Sequence, residues 1–179
     1  KIRDLGVGHI PEDRHTHGLI LDFEARENMI LGFHKTSLAG SGKLFNYSDI
    51  QQNCEAKMGK YDVRPSNSRL SAKNFSGGNQ QKIVIAREFS ANPGVLLVGQ
   101  PTRGVDVGAI EFIHKQLLKL RDEGCAILLV SVELDEIMSL SDRIMVLCDG
   151  KNVGIVDSDK ADRSTLGLMM AGQKQGSTI

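Results

Sequence analysis

The chain has 179 residues, and Lys+Arg and Asp+Glu both number 22, so its formal charge is zero. That length allows one domain with a real core, or a core plus a small subdomain, and the even charge removes any bulk-electrostatic ground for nucleic acid or an anionic membrane as partner. Three cysteines, Cys54, Cys125 and Cys148, odd in number and widely spaced, argue against a disulfide framework or zinc site and for a reducing cytoplasm.

The chain opens on Lys1-Ile2-Arg3 with neither an initiating Met nor a signal peptide, which reads as a piece of something longer. Gly6-Val7-Gly8-His9-Ile10 predicts a short strand stopped by Pro11. Residues 38–42 form a Gly/Ser loop. Ser48-Asp49-Ile50-Gln51 has the form of a capping box and predicts a helix to about Lys60. Ser76-Gly77-Gly78 is a flexible turn running into a helix, with Ile85, Ala86 and Phe89 as its apolar stripe. Residues 20–90 therefore read as a helical subdomain inserted into an α/β core made of residues 1–19 and 91–172.

Three apolar runs follow: Val95-Leu96-Leu97-Val98, Ala126-Ile127-Leu128-Leu129-Val130 and Ile144-Met145-Val146-Leu147. They do not alternate with polar residues, which predicts parallel strands buried on both faces. The longest uninterrupted apolar run, Cys125 to Val130, is far short of the roughly 20 residues that span a bilayer. Between the runs, Ile110, Ile113, Leu117 and Leu120 give one helix face ending near Gly124, and residues 133–140 give a second, shorter helix. The alternation argues for an α/β sheet with right-handed crossovers. Cys148-Asp149-Gly150-Lys151 then turns the chain into a returning antiparallel strand over 152–156, residues 165–171 form a last helix closed by Gly172, and 173–179 read as a flexible tail.

Several side chains invite chemistry and read more simply. His15-Thr16-His17 is a solvated loop rather than a metal pair, and His114 is a partly buried helical residue. Asp135 and Glu136 suit a helix N-terminus, Met169-Met170 packs, and Lys160 and Arg163 lie on a solvated face.

The stretch that carries most information is Asn74-Phe75-Ser76-Gly77-Gly78-Asn79-Gln80-Gln81-Lys82. Backbone N–H groups at such a helix start, with the helix dipole behind them, suit a phosphate. It resembles the signature motif of ATP-binding cassette (ABC) ATPases. In order along the chain, Val95-Leu96-Leu97-Val98 resembles the Walker B strand. Pro101-Thr102-Arg103-Gly104-Val105-Asp106 resembles the following segment, with Asp106 at the D-loop aspartate. Ser131-Val132-Glu133-Leu134-Asp135-Glu136 resembles the switch region. Together with Ile10-Pro11-Glu12-Asp13-Arg14, these motifs look like the second cassette of tandem ATPases that serve bacterial importers of simple sugars or nucleosides.

What the resemblance implies is a partial RecA-like P-loop NTPase core of ABC type with an inserted helical signature subdomain. It implies ATP and Mg²⁺ as cofactors of the full-length protein, with none held tightly by this chain. The implied partners are another cassette (the N-terminal half of the same chain), transmembrane permease subunits, and indirectly a solute-binding protein, but no nucleic acid. The place would be the cytoplasmic face of the cell membrane. The full-length protein would hydrolyse ATP; this chain alone would be inactive, and marginally stable or self-associating.

The departures point to the site on this chain's own core. The only Gly-Lys pair near a P-loop, Gly42-Lys43, has Ser37 five before the Gly and Leu44 in place of Ser/Thr. The metal-holding Asp and water-polarising Glu after Walker B fall on Gly99 and Gln100, the switch histidine on Val132, and the Q-loop glutamine on Glu12. Glycine has no side chain to ligate metal, glutamine can hydrogen-bond a water but cannot serve as a carboxylate base, and valine can neither donate to a γ-phosphate nor relay a proton. No catalytic or metal residue is assigned. Ser76, Gly77, Gly78, Asn79 and Gln80 with Asp106 would act in trans, on a nucleotide held by the partner. Two other classes stay open: a non-transport ABC ATPase, and an inert regulatory or interaction module.

Overall fold

The computed structural model describes residues 2–33 and 45–173, which form two compact units, residues 1–128 and 129–179. The loop expected at 38–42, the Gly42-Lys43 pair with Ser37 and Leu44, and the tail beyond Gln173 lie outside the described residues.

A three-stranded sheet in the order β1-β2-β3 is made of Val7–Ile10, Val95–Gly99 and Ala126–Val130, the last strand carrying the chain across the boundary at residue 128. β1 and β2 are parallel, with Gly8 opposite Leu96 and Ile10 opposite Val98. Gly8 is small for a reason: a Cβ there would lie 2.9 Å from Leu96 Cδ1. Around the sheet run α1 (Ala25–Met29), α2 (Tyr47–Lys60), α3 (Gly77–Phe89) and α4 (Val107–Asp122). α3 packs on β1, α1, α2 and α4. On α4 the expected face is present, with Ile113, Leu117 and Leu120 buried and Ile110 half-buried, and the helix ends at Gly124, whose φ of +98° suits a residue without Cβ.

In the second unit, α5 (Leu134–Leu140), β4 (Arg143–Cys148), β5 (Lys151–Asp157) and α6 (Arg163–Met170) share a small core of Ile144, Val146, Val156, Leu166 and Met169. β4 and β5 are antiparallel, as the turn chemistry at 148–151 predicts. Among the described residues no helix is long and apolar enough to cross a membrane.

Several expectations are corrected. The cap of α2 is Asn46, not Ser48: its side chain accepts from the backbone N–H groups of Ser48 and Asp49, so the helix starts sooner, at Tyr47. α6 also starts sooner, at Arg163, because Asp162 accepts from the Thr165 amide. α3 has no mere apolar stripe; every residue from Gln80 to Phe89 is buried, and its polar side chains are matched from distant segments. Arg163 is not simply solvated but pairs with Asp135, an exposed contact of small energetic weight. Of the two methionines expected to pack, Met169 does and Met170 is half-exposed.

A further correction bears on behaviour. The strands bury alternate residues only. Leu96 and Val98 are buried, whereas Val95, Leu97, Leu128, Val130, Met145, Leu147 and Ile155 are each between 38% and 59% exposed. Successive side chains point to opposite faces, and no described segment covers the second face. Apolar surface of this kind drives association. The isolated chain is therefore expected to sediment with a weight that rises with concentration. A single monomeric boundary across a hundredfold dilution range would refute this.

Candidate functional site

Ser76 caps α3. Its Oγ accepts hydrogen bonds from the Asn79 backbone N–H (3.4 Å) and from Asn79 Nδ2 (2.9 Å). Asn79 Oδ1 in turn accepts from the Arg64 amide at 2.6 Å. Capping leaves Gly77 and Gly78 to open the helix with no side chains. The reason lies in what stands against them. A Cβ on Gly77 would be 2.8 Å from both Arg14 Nη2 and the Gly104 carbonyl oxygen. A Cβ on Gly78 would be 2.8 Å from Asp106 Oδ2 and 3.0 Å from Ala109 Cβ.

Asp106 caps α4 in the same manner, with Oδ1 accepting from the Ala109 amide at 2.9 Å. The starts of two helices thus meet at the glycines, and residues far apart in sequence form one surface. A cleft of about 450 Å³ opens beside it, lined by Gly78, Asn79, Lys82, Asp106, Ala109 and Phe112 among others. Lys82 lies across the Phe112 ring, 4.8 Å from its centre, and donates to the Asp62 carbonyl (2.9 Å) and carboxylate (3.1 Å). The Asp62 carboxyl sits below its ordinary range because Arg64 and Lys82 donate to it.

Gln80, grouped by sequence with Ser76–Asn79, faces the interior. Its Nε2 donates to the Ala72 carbonyl at 3.1 Å, and its Oε1 lies 2.8 Å from His15 Nε2 and 3.4 Å from Arg14 Nε. The half of the His15-Thr16-His17 motif with a described role is thus structural: His15 braces the signature helix. The π-helical turn Arg14–Gly18 that presents it is capped by Asp13, which accepts from His15 and Thr16.

The residues at the altered positions group partly. β1 and β2 end side by side, so a Cβ on Gly99 would lie 3.1 Å from the Glu12 amide nitrogen. The Glu12 carboxylate is exposed and pairs with Arg103. Gln100 has φ of +46°; the other described non-glycine residues with positive φ are Asp62, Asn92 and Asp149, types that tolerate the left-handed region better. Val132, in the second unit, is 72% exposed. Among the described residues no three His, Cys, Asp or Glu side chains come together as metal ligands. With Gly99 unable to ligate, these residues do not fit Mg²⁺. The paired helix starts, by contrast, offer backbone N–H groups and the Ser76 hydroxyl, donors that suit phosphate oxygens.

Sequence reading used Arg14 and Gly104 only as parts of motifs, and the structure makes them central. The signal was their company: an Arg three residues after Pro11, and a Gly two before Asp106, each quoted for resemblance rather than for geometry.

No family model matches the chain. It is 48% identical over 173 residues to the nucleoside import ATP-binding protein NupA of Lactococcus lactis subsp. cremoris, covering 96% of this chain and 34% of the relative. The guanosine import ATP-binding protein NupO of Bacillus subtilis is 47% identical over 176 residues, with 98% and 34% covered. The ribose import ATP-binding protein RbsA of Bacillus cereus is 40% identical over 167 residues, with 93% and 33% covered. The chain thus spans about a third of the length of the curated relatives it matches. In structure it resembles a dimeric ATP-binding cassette in a post-hydrolysis state bound to ADP and Pi. The TM-score is 0.72 and the identity 23%, covering 88% of this chain and 65% of that one. A second dimeric bacterial ABC transporter cassette gives 0.70. This likeness establishes the fold, the α/β cassette form of the P-loop NTPases.

Proposed function

From the premise that this chain is homologous to sugar and nucleoside import ATP-binding proteins and has the fold of an ABC cassette, we propose that it belongs to the ATP-driving subunit of an importer for a sugar or nucleoside. In that subunit it supplies Ser76, Gly77, Gly78 and Asn79 to a nucleotide held by a partner cassette, with Asp106 ordering the shared surface. Its own nucleotide site, at Gly99 and Gln100, is degenerate, and Val132 stands in the sequence where the family has its switch histidine. ATP and Mg²⁺ belong to the assembled protein. The subunit works on the cytoplasmic side of the membrane, bound to permease subunits, and residues 20–90 act as its helical subdomain.

One observation carries the reading most directly. The signature turn and Asp106 are built into one surface at the starts of two helices, while the metal and base positions hold a glycine and a glutamine. Donors without a metal site suit a nucleotide that arrives with its own metal and P-loop. A non-transport ATPase is disfavoured by the zero net charge.

The test is ATP hydrolysis by the full-length protein with its permease. Ser76→Arg puts a bulky cation where the phosphate donors converge and is expected to lower turnover on the order of a hundredfold or more. Gln100→Ala is expected to leave turnover within about twofold, since an amide is not the general base. Loss of turnover in Gln100→Ala would sink the degenerate-site idea.

A further inference from the structure

Arg14 makes contacts that reach across the first unit. Nη1 donates to the Arg103 carbonyl at 2.8 Å, Nη2 to the Gly104 carbonyl at 3.3 Å, and Nε to Gln80 Oε1 at 3.4 Å. These acceptors are 66 to 90 residues away in sequence. Two of them are main-chain carbonyls of the turn that ends at Asp106, and the third is on the first turns of α3. A planar guanidinium has donors along several fixed directions at once, which an ammonium cannot reproduce. Both neighbouring glycines make room for it. At Gly77 the room is spatial, since a Cβ there would lie 2.8 Å from Nη2; at Gly104 it is conformational, since φ of +66° turns the carbonyl toward the guanidinium in a backbone region that suits glycine. Two residues before Arg14, Glu12 pairs with the Arg103 side chain, so the short segment 12–14 grips the same turn twice, once by its backbone and once by its side chain.

We infer that Arg14 is a positioning residue: it couples the Glu12 segment to the 103–106 turn and to the start of α3, holding Ser76–Gly78 and Asp106 in one arrangement. A shift of segment 12–14 is thereby passed to both halves of the phosphate-facing surface. The inference deepens the shared-site reading and rests on it for its consequence in turnover, though not for the coupling itself. Arg14 is not needed to keep either helix folded, because α3 and α4 carry their own caps, Ser76 and Asp106, and α4 its own buried face.

Two measurements on the full-length protein test it. In hydrogen exchange, Arg14→Gln is expected to speed the amides of Arg103, Val105 and Ala109 by about tenfold or more, the loss of charge-assisted bonds to a local turn. Arg14→Lys should fall between Gln and wild type. The amides of α4 near Leu117 and the melting temperature should not move. In steady-state hydrolysis, Arg14→Gln should lower kcat with the KM for ATP unchanged, because the nucleotide is held by the partner. Arg103→Ala, which cuts only the Glu12 link, should give a smaller change confined to the turn. Unchanged exchange in Arg14→Gln, or acceleration spread evenly over α3 and α4, would overturn the coupling. If Arg14→Gln fails to fold, Arg14→Lys decides by the same exchange pattern. If the wild-type protein shows no ATP-dependent turnover with its permease, the shared-site reading falls, and the exchange result still decides whether Arg14 couples the segments.

Discussion

Replacing Glu88 by alanine is expected to destabilise the first unit by about 3–5 kcal/mol, the range for removing one partner of a buried ion pair. Against a total stability of about 5–15 kcal/mol for a typical domain, that is close to unfolding. Glu88 is fully buried in α3 and takes two bonds from Arg3, at 2.7 and 2.9 Å, one from Arg87 Nε at 2.8 Å and one from the His9 amide at 3.3 Å. Its loss strands Arg87, which is 3% exposed and keeps only the carbonyls of Gly18 and Asn28. Arg3 is partly exposed and turns to water at small penalty, so Arg87 sets the size of the effect. Urea titration measures it. The double variant Glu88→Leu with Arg87→Met removes both buried charges and is expected to recover most of the loss. A double variant as unstable as Glu88→Ala would mean that packing, not the stranded charge, is responsible.

The same group sets a pH dependence. Burial pushes the Glu88 carboxyl up, but hydrogen bonds from Arg3 and the Arg87 charge outweigh it, and the net position is below the ordinary glutamate range. A folded value below the unfolded one means that the contribution is complete above the unfolded pKa, about 4.3, and is lost as pH falls from there through the folded value. The urea midpoint of wild type should drop across that window more than that of the double variant. Equal slopes would contradict the assignment.

Replacing Gly77 by valine is expected to cost about 1–3 kcal/mol, as overpacking of a tight contact does, and to remove the function of the shared surface. The new Cβ would meet Arg14 Nη2, which can swing away, and the Gly104 carbonyl, which cannot without moving the turn to Asp106. Gly167 in α6 is the contrast. A Cβ there meets nothing within 4 Å, so Gly167→Ala is expected to stabilise by about 0.5–1 kcal/mol through helix propensity alone. Thermal melts of the two variants should move in opposite directions. A Gly77→Val protein as stable as wild type would show that the turn is softer than its contacts imply.

The sequence alone determined the local elements and the order of the motifs. Apolar runs located β2, β3 and β4, the stop at Pro11 and the turn at 148–151 located β1 and β5, 3-4-3 spacing located α4, and Gly124 marked its end, because these depend on neighbours within a few residues. That Gly99 and Gln100 carry no carboxylate was also legible, since side-chain identity is the same in any fold. What only the tertiary structure decided depends on partners far along the chain. α3 reads as a polar-faced helix, yet Gln80, Lys82, Arg87 and Glu88 are buried because Ala72, Asp62, Gly18 and Arg3 satisfy them. Unbroken apolar runs read as strands buried twice over, yet alternate residues are exposed, because burial depends on what packs against each face rather than on the strand. Arg14 carries no local sign of its role. Its partners lie 66 to 90 residues away, and only folding brings Gly77, Gly104 and Asp106 to the one place where a guanidinium can hold them together.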